Sequence, residues 1–197
     1  VAVAGTRATG VELDSQSLSA DAVVIAAGSW SGLIENGQVA ADVVRPARGQ
    51  ALAVAMRPPV FRHVLAPYQR GYLVPRADGV AVVGSTLEMV GFRKEVTVAG
   101  LSDILAMARS VLPALEPLPV IETWSNFRPY TRDQLPVLGR TPIDGLYLAT
   151  GHFRYGILHA PITGQLIAEL IDTGRCGFDL APFSIARFDQ NLPASAG

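Results

Sequence analysis

The sequence predicts a protein of mixed α and β structure, in which the two ends of the chain build one layer and the middle forms an inserted antiparallel sheet. Three observations predict this fold class. A short apolar run, residues 22–26, precedes Gly28 near the start of the chain. Asp78-Gly79 separates two β-rich runs in the middle. Near the end, a strand, a glycine-bracketed loop and an apolar helix follow one another between residues 146 and 174.

The first segment is predicted as β-structure, because the stretches GVEL (10–13) and AVVIAAG (22–28) flank the polar turn DSQS. Residues 22–26 are apolar without interruption, which is typical of a strand buried on both faces in a parallel sheet. The chain then leaves this strand through Gly28. Residues 43–56 form a second strand region, which we expect to be broken by Pro46 and Gly49.

In the middle of the chain, Asp78-Gly79 lies between two β-rich runs and predicts a hairpin over residues 71–88. A helix is predicted over residues 98–112, where apolar residues recur at helical spacing, and Pro113 ends it. Residues 120–130 form another strand-like run. The apolar residues that define the helix are Leu101, Ile104, Leu105, Ala108 and Leu112.

The last predicted elements are a short strand at residues 146–150 and a helix that starts at Ile157 and stops at Gly174. Several apolar residues are expected along one side of this helix. They are Leu158, Ile162, Leu166, Ile167, Leu170 and Ile171. Residues 191–197 are expected to be a frayed tail.

Composition excludes several classes of protein. A formal net charge of -1 argues against a nucleic-acid surface, and 49% apolar residues are enough for a substantial core. Cys176 is the only cysteine, which excludes an internal disulfide and fits a reducing compartment. No signal peptide, apolar membrane span or metal-ligand set is predicted, so a cytoplasmic location without a membrane partner is expected.

The loop 151–156 invites two interpretations. Its glycines, Gly151 and Gly156, let a ligand approach the backbone, and free N–H groups at a helix N-terminus favour negative charge. The other interpretation is an ordinary tight turn between a strand and a helix. The loop is neither a G-x-G-x-x-G motif nor a phosphate-binding P-loop.

Five segments in order resemble the FAD-dependent glycine and D-amino-acid oxidase family, and within it the bacterial glycine oxidases of thiamine biosynthesis. The resemblance covers nearly the whole chain. It implies the C-terminal part of a glutathione-reductase-like FAD-binding domain, formed by residues 1–44 and 126–197, and an antiparallel substrate-binding domain at 45–125. The five segments are ADAVVIAAGSWSGL, RPARGQ, GYLVPRADGVAVVGSTLE, WSNFRPYTRDQLPVLG and GHFRYGILHAPITG.

The resemblance implies that Arg128, Tyr72 and Arg154 act on the substrate. Arg128 would grip the α-carboxylate of an amino acid and orient its Cα–H toward flavin N5, whereas a structural alternative is an ion pair with a carboxylate such as Asp133. Tyr72 would add a hydroxyl contact to the same carboxylate; its alternative is a half-buried aromatic of the sheet. Arg154 matches an arginine near the substrate's exit.

The same resemblance implies FAD as cofactor and assigns residues to it. Ala27, Gly28 and Trp30 match a turn near the FAD pyrophosphate and ribityl chain, although a tryptophan alone is more often part of a core. His152 is expected to be a hydrogen-bonding loop residue and not a base. The loop residues expected along the flavin ring are Gly151, His152, Phe153, Arg154, Tyr155, Gly156, Ile157 and Leu158. Leu87 and Glu88 match the segment that shapes the substrate pocket.

The chain departs from the family pattern at Asn126, Tyr155 and His159, where the family has glycine, asparagine and leucine. These changes lie beside the expected flavin and bear on substrate preference. The G-x-G-x-x-G motif that opens the family's FAD-binding domain does not occur in the 197 residues. We therefore expect a fragment or a truncated gene, a split gene whose partner supplies the N-terminal half, or a degenerate protein without FAD.

The function that this resemblance implies is oxidative deamination of glycine or another small amino acid or amine. Hydride would pass from the substrate Cα to flavin N5, and oxygen would become peroxide. The isolated chain would be inactive without its N-terminal half, and family members are often homo-oligomers. The alternatives are a dehydrogenase with another acceptor, a related FAD enzyme acting on sarcosine, proline or glycerol phosphate, and a cofactor-free carboxylate-binding or interaction domain.

Overall fold

A computed structural model describes residues 1–67 and 71–188. The strands, numbered in chain order, are β1 (Ala2–Ala4), β2 (Arg7–Glu12), β3 (Ser17–Ser19), β4 (Val23–Ile25), β5 (Arg45–Ala55), β6 (Tyr72–Pro75), β7 (Val80–Gly84), β8 (Val120–Tyr130), β9 (Val137–Arg140) and β10 (Leu146–Thr150). The helices are α1 (Val98–Val111) and α2 (Gly156–Thr173), with short 3-10 helices at Gly28–Leu33, Pro113–Leu115, Ala181–Phe183 and Ile185–Phe188. The predicted mixture of α and β structure is confirmed. The described helices include none that is both long and apolar enough to span a membrane.

The chain divides into two compact units. The first unit takes both ends of the chain, up to Pro46 and from Arg128 onward, and the second unit takes Ala47–Phe127. The first unit contains two three-stranded sheets, ordered β1-β2-β3 and β4-β10-β9. The second unit is built on the four-stranded sheet β6-β7-β5-β8.

Strand β4 pairs in parallel with β10, and β10 pairs antiparallel with β9. The parallel pairing of the first apolar run is thus confirmed. Its burial on both faces is wrong, because Val23 and Ile25 are buried but Val24 on the other face is 39% exposed. Val23 and Ile25 belong to a core cluster with Leu146 and Leu148, so only one face of β4 is covered in the described part of the chain. Strand β9 was not predicted as a separate element.

Helix α2 ends where expected, at Gly174, whose φ of 75° is left-handed and suits a residue without a Cβ. Leu166, Ile167 and Leu170 are buried, and the last two pack on Tyr147 of β10. The first residues of the predicted apolar side are not covered by the described residues, since Leu158 is 74% and Ile162 49% exposed. The sheet covers the C-terminal half of the helix only, so its N-terminal apolar residues face outward.

In the second unit, the predicted hairpin is confirmed as β6 and β7, which pair antiparallel on either side of Asp78-Gly79. The predicted break of β5 at Pro46 and Gly49 is wrong, because β5 runs unbroken over both. Pro46 is the second residue of the strand, ahead of the residues that pair with β7, so its missing N–H costs no bond to β7. Beside Gly49, Arg48 and Glu88 exchange two backbone hydrogen bonds of 2.9 Å.

Helix α1 starts and stops within one residue of its predicted bounds. Thr97 caps its N-terminus by accepting a hydrogen bond from the Gly100 N–H at 3.1 Å, and Pro113 follows its end. The helix buries Ile104 and Ala108 against a core that includes Leu52 of β5 and Leu73 of β6. The predicted strands at 120–130 and 146–150 are observed as β8 and β10.

Candidate functional site

The loop between β10 and α2 requires glycine at its first position. Gly151 has a φ of 74°, and a Cβ there would lie 2.8 Å from the Thr131 Cγ2 and 3.3 Å from the Val137 backbone nitrogen. Phe153, two residues on, also has a positive φ of 49° and is buried. The glycine therefore serves a sharp turn packed against the chain before β9, with no room for a side chain.

Helix α2 begins without a side-chain cap in the part of the chain that the structure describes. The Tyr155 N–H donates to the His152 carbonyl at 3.0 Å, and the Tyr155 carbonyl already accepts from the His159 N–H at 2.9 Å. The first N–H groups of the helix, from Gly156 onward, therefore have no acceptor within the helix itself. Such groups, at the positive end of a helix, suit an anionic or carbonyl oxygen of a ligand.

The turn after β4 lies beside this loop. Because β4 and β10 are parallel, their carboxyl ends meet at the same edge of the sheet. The Thr150 hydroxyl donates to the Gly28 carbonyl at 3.1 Å, and it lies 2.7 Å from the Ser31 hydroxyl. A Cβ on Gly28, whose φ is 56°, would meet no atom within 4 Å, so the backbone there is open to a ligand. Trp30 is 45% exposed and is not a core residue.

The strand end that carries Arg128 is held against the same loop. The Phe153 N–H donates to the Pro129 carbonyl at 3.0 Å. The rings of Tyr130 and Phe153 meet edge to face, with centroids 5.2 Å apart. The guanidinium of Arg154 lies 5.0 Å from the centre of the Phe153 ring. The predicted substrate arginine and the predicted flavin loop are thus joined through Pro129.

Asp133, the carboxylate considered as a structural partner of Arg128, forms an ion pair with Arg187, with an Nε–Oδ2 distance of 2.7 Å. Burial alone would raise the pKa of Asp133, but hydrogen bonds from Arg187 and the Leu135 N–H, with the positive charge of Arg187, lower it. The side chain stays ionised and anchors the segment before β9 to Arg187.

His152 is tied to helix α2 by a hydrogen bond of 2.9 Å between its Nε2 and the Thr163 hydroxyl. Burial lowers the pKa of His152, and the nearby His159 lowers it further, so the ring is neutral at pH 7. Tyr155 and His159, two of the departures from the family pattern, stack on each other with ring centroids 5.7 Å apart. Tyr155 and His159 are four residues apart, about one helical turn, so the two departures from the family pattern contact each other.

In the second unit, Tyr72 is half-buried on β6 and lies opposite Gly84 of β7. Its hydroxyl would be only 2.9 Å from a Cβ on Gly84, so this glycine makes room for the tyrosine. Leu87 and Glu88 line a cavity of about 270 Å³ whose other walls include Thr97 and Asp103.

The Glu88 carboxylate is engaged within the second unit. It accepts from Arg48 Nη2 at 2.6 Å, Gln50 Nε2 at 2.8 Å and the Thr86 hydroxyl at 2.5 Å. Arg48 and Gln50 are buried. Burial alone would raise the pKa of Glu88, but these hydrogen bonds and the charge of Arg48 outweigh it and lower the pKa from 4.5 to about 2. The motif RPARGQ contained both partners, yet their role could not be read from it.

This network predicts a pH dependence of stability. Because the folded pKa of Glu88 lies below 4.5, its stabilisation is complete above that pH and is lost as the pH falls toward about 2. We expect Glu88→Gln to lower the free energy of unfolding at pH 7 by about 1–2 kcal/mol, with a smaller difference at pH 3. Urea unfolding at both pH values measures this. Glu95→Gln is the control, since that side chain is 66% exposed and lies 3.4 Å from Arg48. A difference independent of pH would contradict the assignment.

Sequence reasoning missed three residues that hold the site together. Ser31, Thr150 and Thr163 are buried. The hydroxyls of Ser31 and Thr150 join the two turns, and the Thr163 hydroxyl joins helix α2 to His152 of the loop. Thr150 stands directly before the Gly151 turn, which is a signal that could have found it, whereas Thr163 lies inside helix α2 with no such signal. Among the described residues, no group of three or more His, Cys, Asp or Glu side chains could hold a metal ion.

Comparison with known proteins identifies close relatives. The chain is 35% identical over 170 residues to the glycine oxidase of Geobacillus kaustophilus, covering 86% of this chain and 45% of that protein. It is 39% identical over 188 residues to the bifunctional protein ThiO/ThiG of Synechocystis sp., covering 92% of this chain and 28% of that protein. The chain spans about half the length of the glycine oxidases it matches.

Solved structures agree with these relatives. The crystal structure of the G. kaustophilus glycine oxidase matches with a TM-score of 0.83 at 34% identity, over 88% of this chain and 47% of that one. The profile of the DAO family, described as FAD dependent oxidoreductase, matches residues 1–170. This match covers both glycine turns and the Arg128 segment. The chain therefore belongs to the DAO family of FAD-dependent oxidoreductases.

Proposed function

We propose that this chain forms the part of an enzyme that contacts the flavin ring and the substrate. The enzyme would oxidise glycine or another small amino acid or amine. The observation that carries the proposal is the hydrogen bond from the Phe153 N–H to the Pro129 carbonyl. This bond keeps Arg128, the residue before Pro129, close to the loop that would contact the flavin. A carboxylate-binding arginine beside a flavin edge is the arrangement that an amino-acid oxidase requires.

The first unit fits one end of FAD. The open backbone at Gly28 and the uncapped start of α2 would meet the ribityl chain and the oxygen-bearing edge of the flavin ring. The assigned contacts are Ala27, Gly28 and Trp30 on the turn after β4 and residues 151–158 on the loop. The 197 residues contain no G-x-G-x-x-G sequence, so the FAD pyrophosphate would be held by another part of the protein.

Each substrate residue has a defined task in this proposal. Arg128 binds the α-carboxylate through two parallel hydrogen bonds and so orients the Cα–H bond. Tyr72 would donate a hydroxyl hydrogen bond to the same carboxylate, and Arg154 would lie near the substrate's exit. FAD, when bound, accepts the hydride, so no protein base is needed at Cα. Neutral His152, hydrogen-bonded to Thr163, keeps the loop in place.

The positive end of α2 would stabilise negative charge at the edge of the reduced flavin. Ile157 and Leu158 extend from the first turn of the helix without cover from the described residues. Their apolar side chains would exclude water beside the reacting centre. Leu87 and Glu88 would shape the pocket for the substrate's side chain. Arg48 already donates a hydrogen bond to the Glu88 carboxylate. Glu88 would therefore contribute to the pocket through its shape.

The test is an absorption spectrum of the complete protein, meaning these residues together with a G-x-G-x-x-G half. We expect flavin bands that survive desalting and that bleach when glycine is added without oxygen. Methylamine is the matched control: it carries the amine without the carboxylate that Arg128 would bind, so it should need a much higher concentration than glycine to bleach the flavin. Peroxide formed on readmission of oxygen distinguishes an oxidase from a dehydrogenase. Retained flavin that no amino acid bleaches would contradict the proposal.

A further inference from the structure

Thr150, the last residue of β10, joins the two glycine turns of the candidate site. It is 1% exposed, and its hydroxyl contacts the Gly28 carbonyl at 3.1 Å and the Ser31 hydroxyl at 2.7 Å. These partners lie 122 and 119 residues away in the chain. The two turns thus meet at a single buried hydroxyl.

The direction of these hydrogen bonds follows from the atoms. The Gly28 carbonyl can only accept, so the single hydroxyl hydrogen of Thr150 points to it. Ser31 must then donate its own hydrogen to the Thr150 oxygen. The chain of donors runs from Ser31 to Thr150 to Gly28. All three groups satisfy one another, so removing the middle hydroxyl leaves the Gly28 carbonyl and the buried Ser31 hydroxyl without this partner.

Another hydroxyl of the same turn behaves differently. Ser29 is 2% exposed, and its Oγ has no hydrogen-bond partner among the described residues. Ser29 is nearly as buried as Ser31, but its hydroxyl makes no hydrogen bond to another described segment. The turn is therefore positioned through Ser31 and Thr150. Thr141→Val offers a control with the same substitution, because the Thr141 hydroxyl donates to the Ile143 carbonyl at 3.1 Å in the turn before β10, at the opposite end of that strand from Thr150.

We propose that Thr150 and Ser31 are positioning residues that set the spacing between the turn at residues 27–30 and the loop at residues 151–156. This inference rests on the proposed function, in which the two segments hold different parts of one FAD molecule. A rigid ligand that spans two segments binds well only when both are held near the right separation. The two hydroxyls would therefore control the affinity for FAD without touching it.

The experiment measures FAD affinity and flavin reduction potential in the complete protein. We expect Thr150→Val, which keeps the shape and removes the hydroxyl, to raise the Kd for FAD about tenfold or more. Thr150→Ser should restore it to within about twofold, because the hydroxyl returns. Thr141→Val, which removes a hydroxyl at the other end of β10, should leave the Kd unchanged. The reduction potential should shift in Thr150→Val only, since displacement of the loop alters the positive helix end that faces the flavin.

The outcomes separate this inference from the proposed function. A wild-type protein that binds no FAD would refute the proposed function. A wild-type protein that binds FAD, with Thr150→Val binding equally tightly and at the same potential, would overturn the inference alone. Lower stability of the apoprotein with an unchanged Kd would also overturn it, because the role would then be structural. If Thr150→Val does not fold, Ser31→Ala decides: weaker FAD binding supports the inference, and unchanged binding refutes it.

Discussion

Replacing Arg128 with alanine in the complete protein should raise the KM for glycine by about two orders of magnitude or more. Two charge-assisted hydrogen bonds of about 1.5–3 kcal/mol each would be lost, and about 1.4 kcal/mol corresponds to a factor of ten. The loop itself should survive the change, because its bond to this strand uses the Pro129 carbonyl and not the arginine side chain. Steady-state kinetics across glycine concentrations measure the effect.

Two further variants sharpen this test. Arg128→Lys keeps the positive charge but loses the planar fork, so it should fall between wild type and alanine. Arg132→Ala is the control within the same sequence block, since the Arg132 guanidinium lies 5.0 Å from the centre of the Phe188 ring. For Arg132→Ala we expect a KM within about twofold of wild type, because Arg132 has no assigned contact with the substrate. An unchanged KM in Arg128→Ala would remove Arg128 from the substrate site.

Gly151→Ala should strongly disrupt the loop of the candidate site. Its φ of 74° disfavours any residue with a Cβ, and the added methyl would lie 2.8 Å from the Thr131 Cγ2 and 3.3 Å from the backbone of Val137. Thr131 is buried with its hydroxyl bonded to the Leu135 carbonyl at 2.8 Å, so it cannot move aside freely. We expect a loss of about 2–4 kcal/mol in unfolding free energy and of most FAD binding.

Gly5→Ala separates the two causes of that loss. Gly5 has a comparable φ of 61°, but a Cβ there would meet no atom within 4 Å. It should therefore cost only the backbone strain, about 1–2 kcal/mol, and leave the FAD affinity unchanged. Urea unfolding and FAD titration of both variants measure this. Equal losses of stability in the two variants would show that the contact with Thr131 carries no weight.

Much of the fold could be predicted from local patterns. Helix α1 stops before Pro113, and α2 stops at Gly174, because these signals act within a turn of the residues they affect. The hairpin at Asp78-Gly79 is equally local. Patterns that depend on neighbours failed. Pro46 did not break β5, and the exposed Val24 shows that an apolar run does not decide which face a sheet leaves uncovered.

The family of the protein followed from motif order, which five segments of the sequence carry and which the match over residues 1–170 confirms. The individual site residues stay predictions. Among them, Trp30 is exposed where a core tryptophan was the alternative, and Glu88 proves to be an ion-pair partner of Arg48. The residue type at either position did not distinguish these outcomes, because the exposure of Trp30 and the ion pair of Glu88 depend on residues distant in the sequence.

By itself, then, the sequence determined the class of fold, the hairpin, the helix ends and the family, since these rest on residue type and on spacing along the chain. Only the tertiary structure decided which segments meet. It joined Thr150 to Ser31 across 119 residues, and Phe153 to Pro129 through a backbone bond. The reason is physical: strand order and parallel pairing bring the carboxyl ends of β4 and β10 to one edge, and contacts made there leave no periodic trace in the sequence.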